Sequence, residues 1–156
     1  VEVGVFTGYS ALGIAKILPE DGTLYACDMS EEFLAVAREW WEKAGVAEKI
    51  ESRLGPGEDS LKALLDEGLG GSIDFMYVDA DKVNSTTYYE LGLELLRPGG
   101  MIGLDNMFLG GRVADVSDND PNTLATRALA LKLLADERVD YSLLPIGDGL
   151  GLARKR

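Results

Sequence analysis

Short, mostly apolar runs recur along the chain at Val1 to Val5, Thr23 to Cys27, Ile50 to Leu54, Ile73 to Val78, Met101 to Leu104, Val139 to Leu144 and Leu150 to Ala153. Their length and composition predict strands. Between them lie Ser10 to Leu18, Glu31 to Ala44, Glu58 to Glu67, Asn84 to Leu96 and Thr123 to Asp136, where apolar residues repeat at helical spacing with polar ones opposite. In the last of these, Leu124, Ala128, Leu131 and Ala135 form the apolar stripe. Regular β-α alternation predicts an α/β fold, a parallel sheet with right-handed crossovers and helices on both faces. The pattern breaks near the end. Only Pro145-Ile-Gly-Asp-Gly149 separates the last two strands, too few residues for a parallel crossover, so the final strand is expected to return antiparallel as a hairpin. Arg97-Pro-Gly-Gly100 marks the end of the fourth long helix.

The 156 residues are enough for one sizeable core, so a single domain over 1–156 is expected. The chain begins inside its first predicted strand, with no helix before it. No run of about 18 apolar residues and no basic segment leading into an apolar one is present, which leaves neither a membrane span nor a secretory signal and makes the cytoplasm the default location. A formal charge of -12 repels phosphate backbones and anionic lipid, so neither nucleic acid nor membrane is an expected partner. The single Cys27 sits in an apolar run and reads as core. The absence of histidine excludes His general bases, Ser-His-Asp triads and His-bound zinc. Carboxylates, amides, lysines, hydroxyls or a hard cation must do the chemistry.

Glu2-Val-Gly-Val-Phe-Thr-Gly-Tyr-Ser10 ends the first strand and opens the first helix, the place where an open α/β sheet binds ligands. Gly4 and Gly8 allow close backbone approach, and Ser10 can cap the helix or bond a carboxylate. The spacing departs from GxGxxG, so the tight pyrophosphate turn of a dinucleotide site is not predicted. Asp28 ends the second strand about twenty residues after Gly8, where an acid can accept from both ribose hydroxyls. An adenosine-type ligand fits. Gly55-Pro-Gly57, after the third strand, can present backbone to an adenine edge or be merely a turn.

Asp79 and Asp81 close the fourth strand in Phe75-Met-Tyr-Val-Asp-Ala-Asp-Lys82, and Asp105-Asn106 close the fifth. If these strands are neighbours, about 4.8 Å apart, Asp79 and Asp105 project from adjacent carboxyl ends. Oxygen donors without sulfur or imidazole suit a hard cation, Mg²⁺ first, with Ca²⁺ or Mn²⁺ as alternatives. Lys82 stands beside this centre, where a nearby divalent cation disfavours its charged form and makes it a candidate base. A salt bridge to Asp79 or Asp81 is the plainer reading of Lys82, and helix capping the plainer reading of the acids.

Taken in order, these segments, with Trp41-Glu-Lys-Ala-Gly45, Leu95-Leu-Arg-Pro-Gly-Gly100, Gly111-Arg-Val113 and Asp136-Glu-Arg-Val139, resemble the cation-dependent O-methyltransferases of the caffeoyl-CoA and catechol type, within the class I S-adenosylmethionine-dependent methyltransferases. The likeness covers nearly the whole chain. It implies a Rossmann-like, doubly wound seven-stranded sheet of order 3-2-1-4-5-7-6 in three α/β/α layers. It also implies S-adenosylmethionine and a divalent cation as cofactors. Glu2, Gly4, Val5, Ser10, Asp28 and Gly57, with Asp79, would contact the methyl donor. Asp79, Asp105 and Asn106 would hold the metal, and Lys82 would be the base. The implied reaction methylates one hydroxyl of an aromatic vicinal diol, a small-molecule acceptor. The family also carries an N-terminal helical segment that this sequence does not show, and the resemblance implies a homodimer, to which Phe108 and Leu109 would lend exposed apolar surface. Phe108-Leu109 replaces a frequent Trp of the family, and Gly110 an Asn of its plant members.

Three rival readings remain at this point. Asp79-Ala-Asp81 could serve Mg²⁺-dependent phosphoryl transfer. Asp28 could serve an NAD-dependent oxidoreductase, although the GxGxxG turn is absent. Finally, the chain could be a truncated core that binds cofactor and metal without turnover.

Overall fold

The computed structural model describes all 156 residues. Seven strands and five α-helices follow in the order β1 (Glu2–Val3), α1 (Tyr9–Ile17), β2 (Leu24–Asp28), α2 (Glu31–Lys43), β3 (Ile50–Leu54), α3 (Gly57–Asp66), β4 (Ile73–Val78), α4 (Ser85–Leu95), β5 (Leu96–Leu104), α5 (Pro121–Ala135), β6 (Val139–Leu144) and β7 (Leu150–Lys155). Two short 3-10 turns, Ala47–Lys49 and Leu109–Ala114, were not predicted by the periodicity. The strands form one sheet in the order β3-β2-β1-β4-β5-β7-β6. β1, β2 and β3 pair in parallel, as do β4 and β5, while β7 runs antiparallel to both β5 and β6. The expected order and the reversed last strand are both present. No helix is long and apolar enough to cross a membrane. The chain divides into two compact units, Val1–Ser60 and Leu61–Arg156.

In the first unit the core is built on α2. Ser30 caps this helix by accepting the Phe33 N–H at 3.2 Å, Glu31 and Glu32 occupy its positive end and Lys43 its negative end. Its buried face, Leu34, Ala37 and Trp41, packs with Val5, Ala11, Ala15, Leu24 and Ala26. Cys27 is buried as expected, and that burial pushes its thiol up to about 11, so it is core rather than nucleophile.

In the second unit α4 buries Tyr88, Tyr89, Leu93 and Leu95, and Gly92 lets it approach the sheet: a Cβ there would stand 2.8 Å from the Met76 sulfur. β5 starts five residues earlier than the sequence predicts. Its register jumps from Ile73↔Leu96 to Phe75↔Met101, so Arg97–Gly100 bulges out and regular pairing begins at the expected Met101.

The α5 stripe is a correction. Leu124, Ala128, Leu131 and Ala135 face solvent, Leu131 at 69% exposure, and the helix instead buries Thr123, Thr126, Leu129 and Leu133. Apolar residues surround α5 on nearly every side, so spacing alone did not fix its rotation. Polar anchors do. Arg127 donates from its guanidinium to the carbonyls of Val113 at 2.9 Å, Asp118 at 2.9 Å and Arg112 at 3.1 Å, and also to that of Asp115. Phe108 and Leu109 are likewise half-buried rather than exposed.

Candidate functional site

The glycine loop between β1 and α1 is closed by hydrogen bonds from three sides. Gly4 (φ 88) donates to the Cys27 carbonyl at 2.9 Å, and Gly8 (φ 82) donates to the Val5 carbonyl at 3.0 Å. The buried Trp41 indole donates to the Gly8 carbonyl at 3.0 Å. Asp28 stitches the loop to the end of β2: its Oδ2 accepts the N–H groups of Val5 and Phe6 at 2.9 and 2.8 Å, and its Oδ1 accepts that of Ser30 at 2.9 Å. A carboxylate offers about four acceptor sites, so about one remains, on Oδ1. Of the two ribose hydroxyls that the sequence reading assigned to Asp28, this geometry leaves room for one without disturbing the loop. Glu2 is fully buried and accepts the Ser10 hydroxyl, holding the start of α1 to β1 from beneath. Val5 and Gly57 are also buried, with Gly57 opening α3. In this unit the structure therefore brings together Glu2, Gly4, Val5, Ser10 and Asp28. The backbone of the loop and one oxygen of Asp28 form its ligand-facing part.

The second unit gathers Asp79, Lys82, Asp105 and Asn106 beyond the carboxyl ends of β4 and β5. The Asp105 N–H donates to the Val78 carbonyl at 3.0 Å, which carries the parallel pairing one residue past the strands. The Lys82 ammonium donates to the Asp105 carbonyl at 3.0 Å and stands 3.9 Å from Asp79 Oδ1. The Lys82 side chain is 13% exposed and that of Asp79 45%. Burial lowers the Lys82 pKa, against the pull of Asp79, Asp105, Asp148 and Asp81. Burial also raises that of Asp79, and the Asp105 charge adds to the rise.

A half-buried Asp79 whose charge is disfavoured by burial and by the neighbouring Asp105 is a natural seat for a cation. No three His, Cys, Asp or Glu side chains are placed to hold a metal ion together, so the third donor here would have to be the Asn106 amide. Asn106 has a left-handed backbone (φ 56). The donor set is oxygen only, which fits a hard divalent ion.

Two participants are unmarked by the sequence pattern. Tyr77 donates its hydroxyl to Asp105 Oδ2 at 2.6 Å, and Asp105 Oδ1 accepts the Asn106 N–H at 2.6 Å, so the carboxylate is oriented from both sides. Tyr77 shares a strand face with Asp79 by the two-residue period, the one signal that could have found it. Asp148 also lends its charge to the site. Asp81, by contrast, is committed to α4: it accepts from the Asn84 N–H at 3.1 Å, the Asn84 amide at 2.7 Å and the Tyr88 hydroxyl at 2.6 Å. It anchors the turn that leads into α4 and is not a partner acid for phosphoryl transfer.

Comparison with known proteins accords with this geometry. Residues 1–156 match the family model described as O-methyltransferase. The chain is 47% identical over 156 residues to "Probable caffeoyl-CoA O-methyltransferase 2" of Dictyostelium discoideum, covering 99% of this chain and 68% of that protein. It is 42% identical to "Catechol O-methyltransferase domain-containing protein 1" of Mus musculus, covering 99% of this chain and 59% of that protein. Among solved structures, the O-methyltransferase from Bacillus cereus in complex with SAH superposes with a TM-score of 0.92 at 32% identity, over 99% of this chain and 72% of that one.

Proposed function

From the premise that this chain belongs to the O-methyltransferase family of enzymes, we propose that it moves a methyl group from S-adenosylmethionine to one hydroxyl of a catechol-like acceptor with the help of a divalent cation. The observation that carries this reading is the placement of Lys82 beside Asp79 and Asp105. The names of the relatives, caffeoyl-CoA and catechol O-methyltransferases, support the acceptor class, and the solved relative in complex with SAH supports the donor.

Asp79, Asp105 and Asn106 would hold the cation and Tyr77 would keep Asp105 in orientation. A cation bound there would acidify a chelated hydroxyl and stabilise the developing phenolate. Lys82 takes the proton of the reacting hydroxyl on Nζ; its burial favours the neutral amine that this requires. The phenolic oxygen then forms a bond to the methyl carbon as the carbon–sulfur bond breaks, and its electron pair leaves on sulfur as the thioether. The glycine loop and Asp28 hold the donor, and rate comes mainly from alignment of oxygen, carbon and sulfur. A homodimer belongs to the same proposal. Its support is the exposed leucines of α5 rather than Phe108 and Leu109.

The test is calorimetric titration with S-adenosylhomocysteine, with and without Mg²⁺, followed by methyl transfer to catechol and to caffeoyl-CoA. Metal-dependent transfer that Lys82→Ala reduces by about 10²- to 10⁴-fold is expected. Binding without transfer would remove the catalytic part of the proposal, and transfer insensitive to chelation would remove the metal.

A further inference from the structure

The segment from Asn106 to Gly111 does not hold its shape by local preference. Asn106 (φ 56), Leu109 (φ 47), Gly110 (φ 63) and Gly111 (φ 88) all take the left-handed region, which side chains other than glycine disfavour. Support comes from the β6–β7 hairpin turn. The Met107 N–H donates to the Gly149 carbonyl at 2.9 Å and the Phe108 N–H to the Asp148 carbonyl at 2.8 Å. The Gly110 N–H donates to Asp148 Oδ1 at 2.8 Å. The Phe108 ring rests on Gly149 (φ 86), where a Cβ would stand 2.8 Å from two ring carbons. Pro145-Ile-Gly-Asp-Gly149 is thus more than a turn: it grips the residues that continue from a candidate metal ligand.

We propose that Asp148 is a positioning residue for the acceptor, tying the segment 107–110 to the hairpin and so fixing the course of the backbone that follows Asn106, on which the choice of hydroxyl in a vicinal diol depends. The proposal rests on the metal-dependent methyl-transfer reading above. A diol bound through a cation that Asp79, Asp105 and Asn106 would hold would meet the protein surface that follows Asn106, and the backbone there is held by these three anchors. Two of them are backbone carbonyls that no side-chain change removes. The third, the Asp148 carboxylate, is the adjustable one.

The experiment compares the full chain with Asp148→Ala and Asp148→Asn, using Mg²⁺, S-adenosylmethionine and a catechol whose two hydroxyls are inequivalent. Asp148→Ala is expected to raise the acceptor KM roughly tenfold and to change the ratio of the two methylated products, with the KM for S-adenosylmethionine unmoved. Asp148→Asn keeps an oxygen facing Gly110 and is expected to restore the ratio. Read without turnover, amide exchange in peptides spanning residues 106–111 should quicken roughly tenfold in Asp148→Ala and not in Asp148→Asn. An unchanged product ratio and unchanged exchange in Asp148→Ala would overturn the proposal. So would loss of kcat alone in both variants, which would assign Asp148 to the charge of Lys82 instead. If the parent chain transfers no methyl group, the functional reading fails and acceptor positioning with it; the exchange data then report separately whether Asp148 anchors the loop.

Discussion

Gly8 meets two demands that only a missing side chain satisfies. Its φ of 82 lies in the left-handed region, and a Cβ would stand 2.6 Å from that of Ala37 and 2.7 Å from the Trp41 indole nitrogen. Gly8→Ala should therefore destabilise the chain by about 2–4 kcal/mol, strain and overpacking together, and abolish binding of S-adenosylhomocysteine. Gly13, in the exposed middle of α1 with nothing within 4 Å, is the control: Gly13→Ala should stabilise by roughly 0.5–1 kcal/mol. Thermal melts of the two variants, moving in opposite directions, check the pair. The sequence marked Gly8 because glycine in a strand-to-helix loop has few other uses. It marked Asp79, Asp105 and Lys82 because all three sit at strand ends within a few residues of apolar runs. Tyr77 and Asp148 were not legible, since their roles are hydrogen bonds to residues 28 and 38 positions away.

At the level of elements, β-α alternation located every α-helix and strand, because buried runs and amphipathic periods are local properties. The rotation of α5 is not local. It is set by Arg127 gripping four carbonyls and by the corner that follows the helix. There Asp136 accepts from Arg138 at 2.6 Å and from the Tyr89 hydroxyl at 3.0 Å, while Arg138 also pairs with Glu90 at 2.9 Å. The Asp136 side chain is only 8% exposed, and its hydrogen bonds from Arg138 hold its carboxyl far below the usual range. A depressed carboxyl contributes stability above its unfolded value, near 3.8, and loses it as pH falls through the folded value. Asp136→Asn should therefore cost about 2 kcal/mol at pH 7, and the gap from the parent should narrow below about pH 4. Urea melts at pH 7 and pH 3 provide the comparison, and a gap that widened in acid would show that another group dominates.

For the whole molecule, Leu131 and Leu134 on α5, 69% and 77% exposed, remain on the surface. A second copy covering them would double the 16.8 kDa mass in light scattering, and Leu131→Glu should return the species to a single chain. A monomer in the parent would remove the dimer from the proposal.

The hairpin grip also bears on the order in which the molecule assembles. β4 and β5 can pair as soon as α4 has formed between them, yet β5 remains an open edge until β7 arrives. The bends after Asn106 wait for the same event, because their anchors at Asp148 and Gly149 are made by the turn just before β7. Contacts so remote in sequence close late. The β4–β5 pairing that brings the carboxylates together is thus expected to precede the shaping of the surface proposed to choose among acceptors, an order that pulsed amide exchange at Asp105 and Gly110 would check.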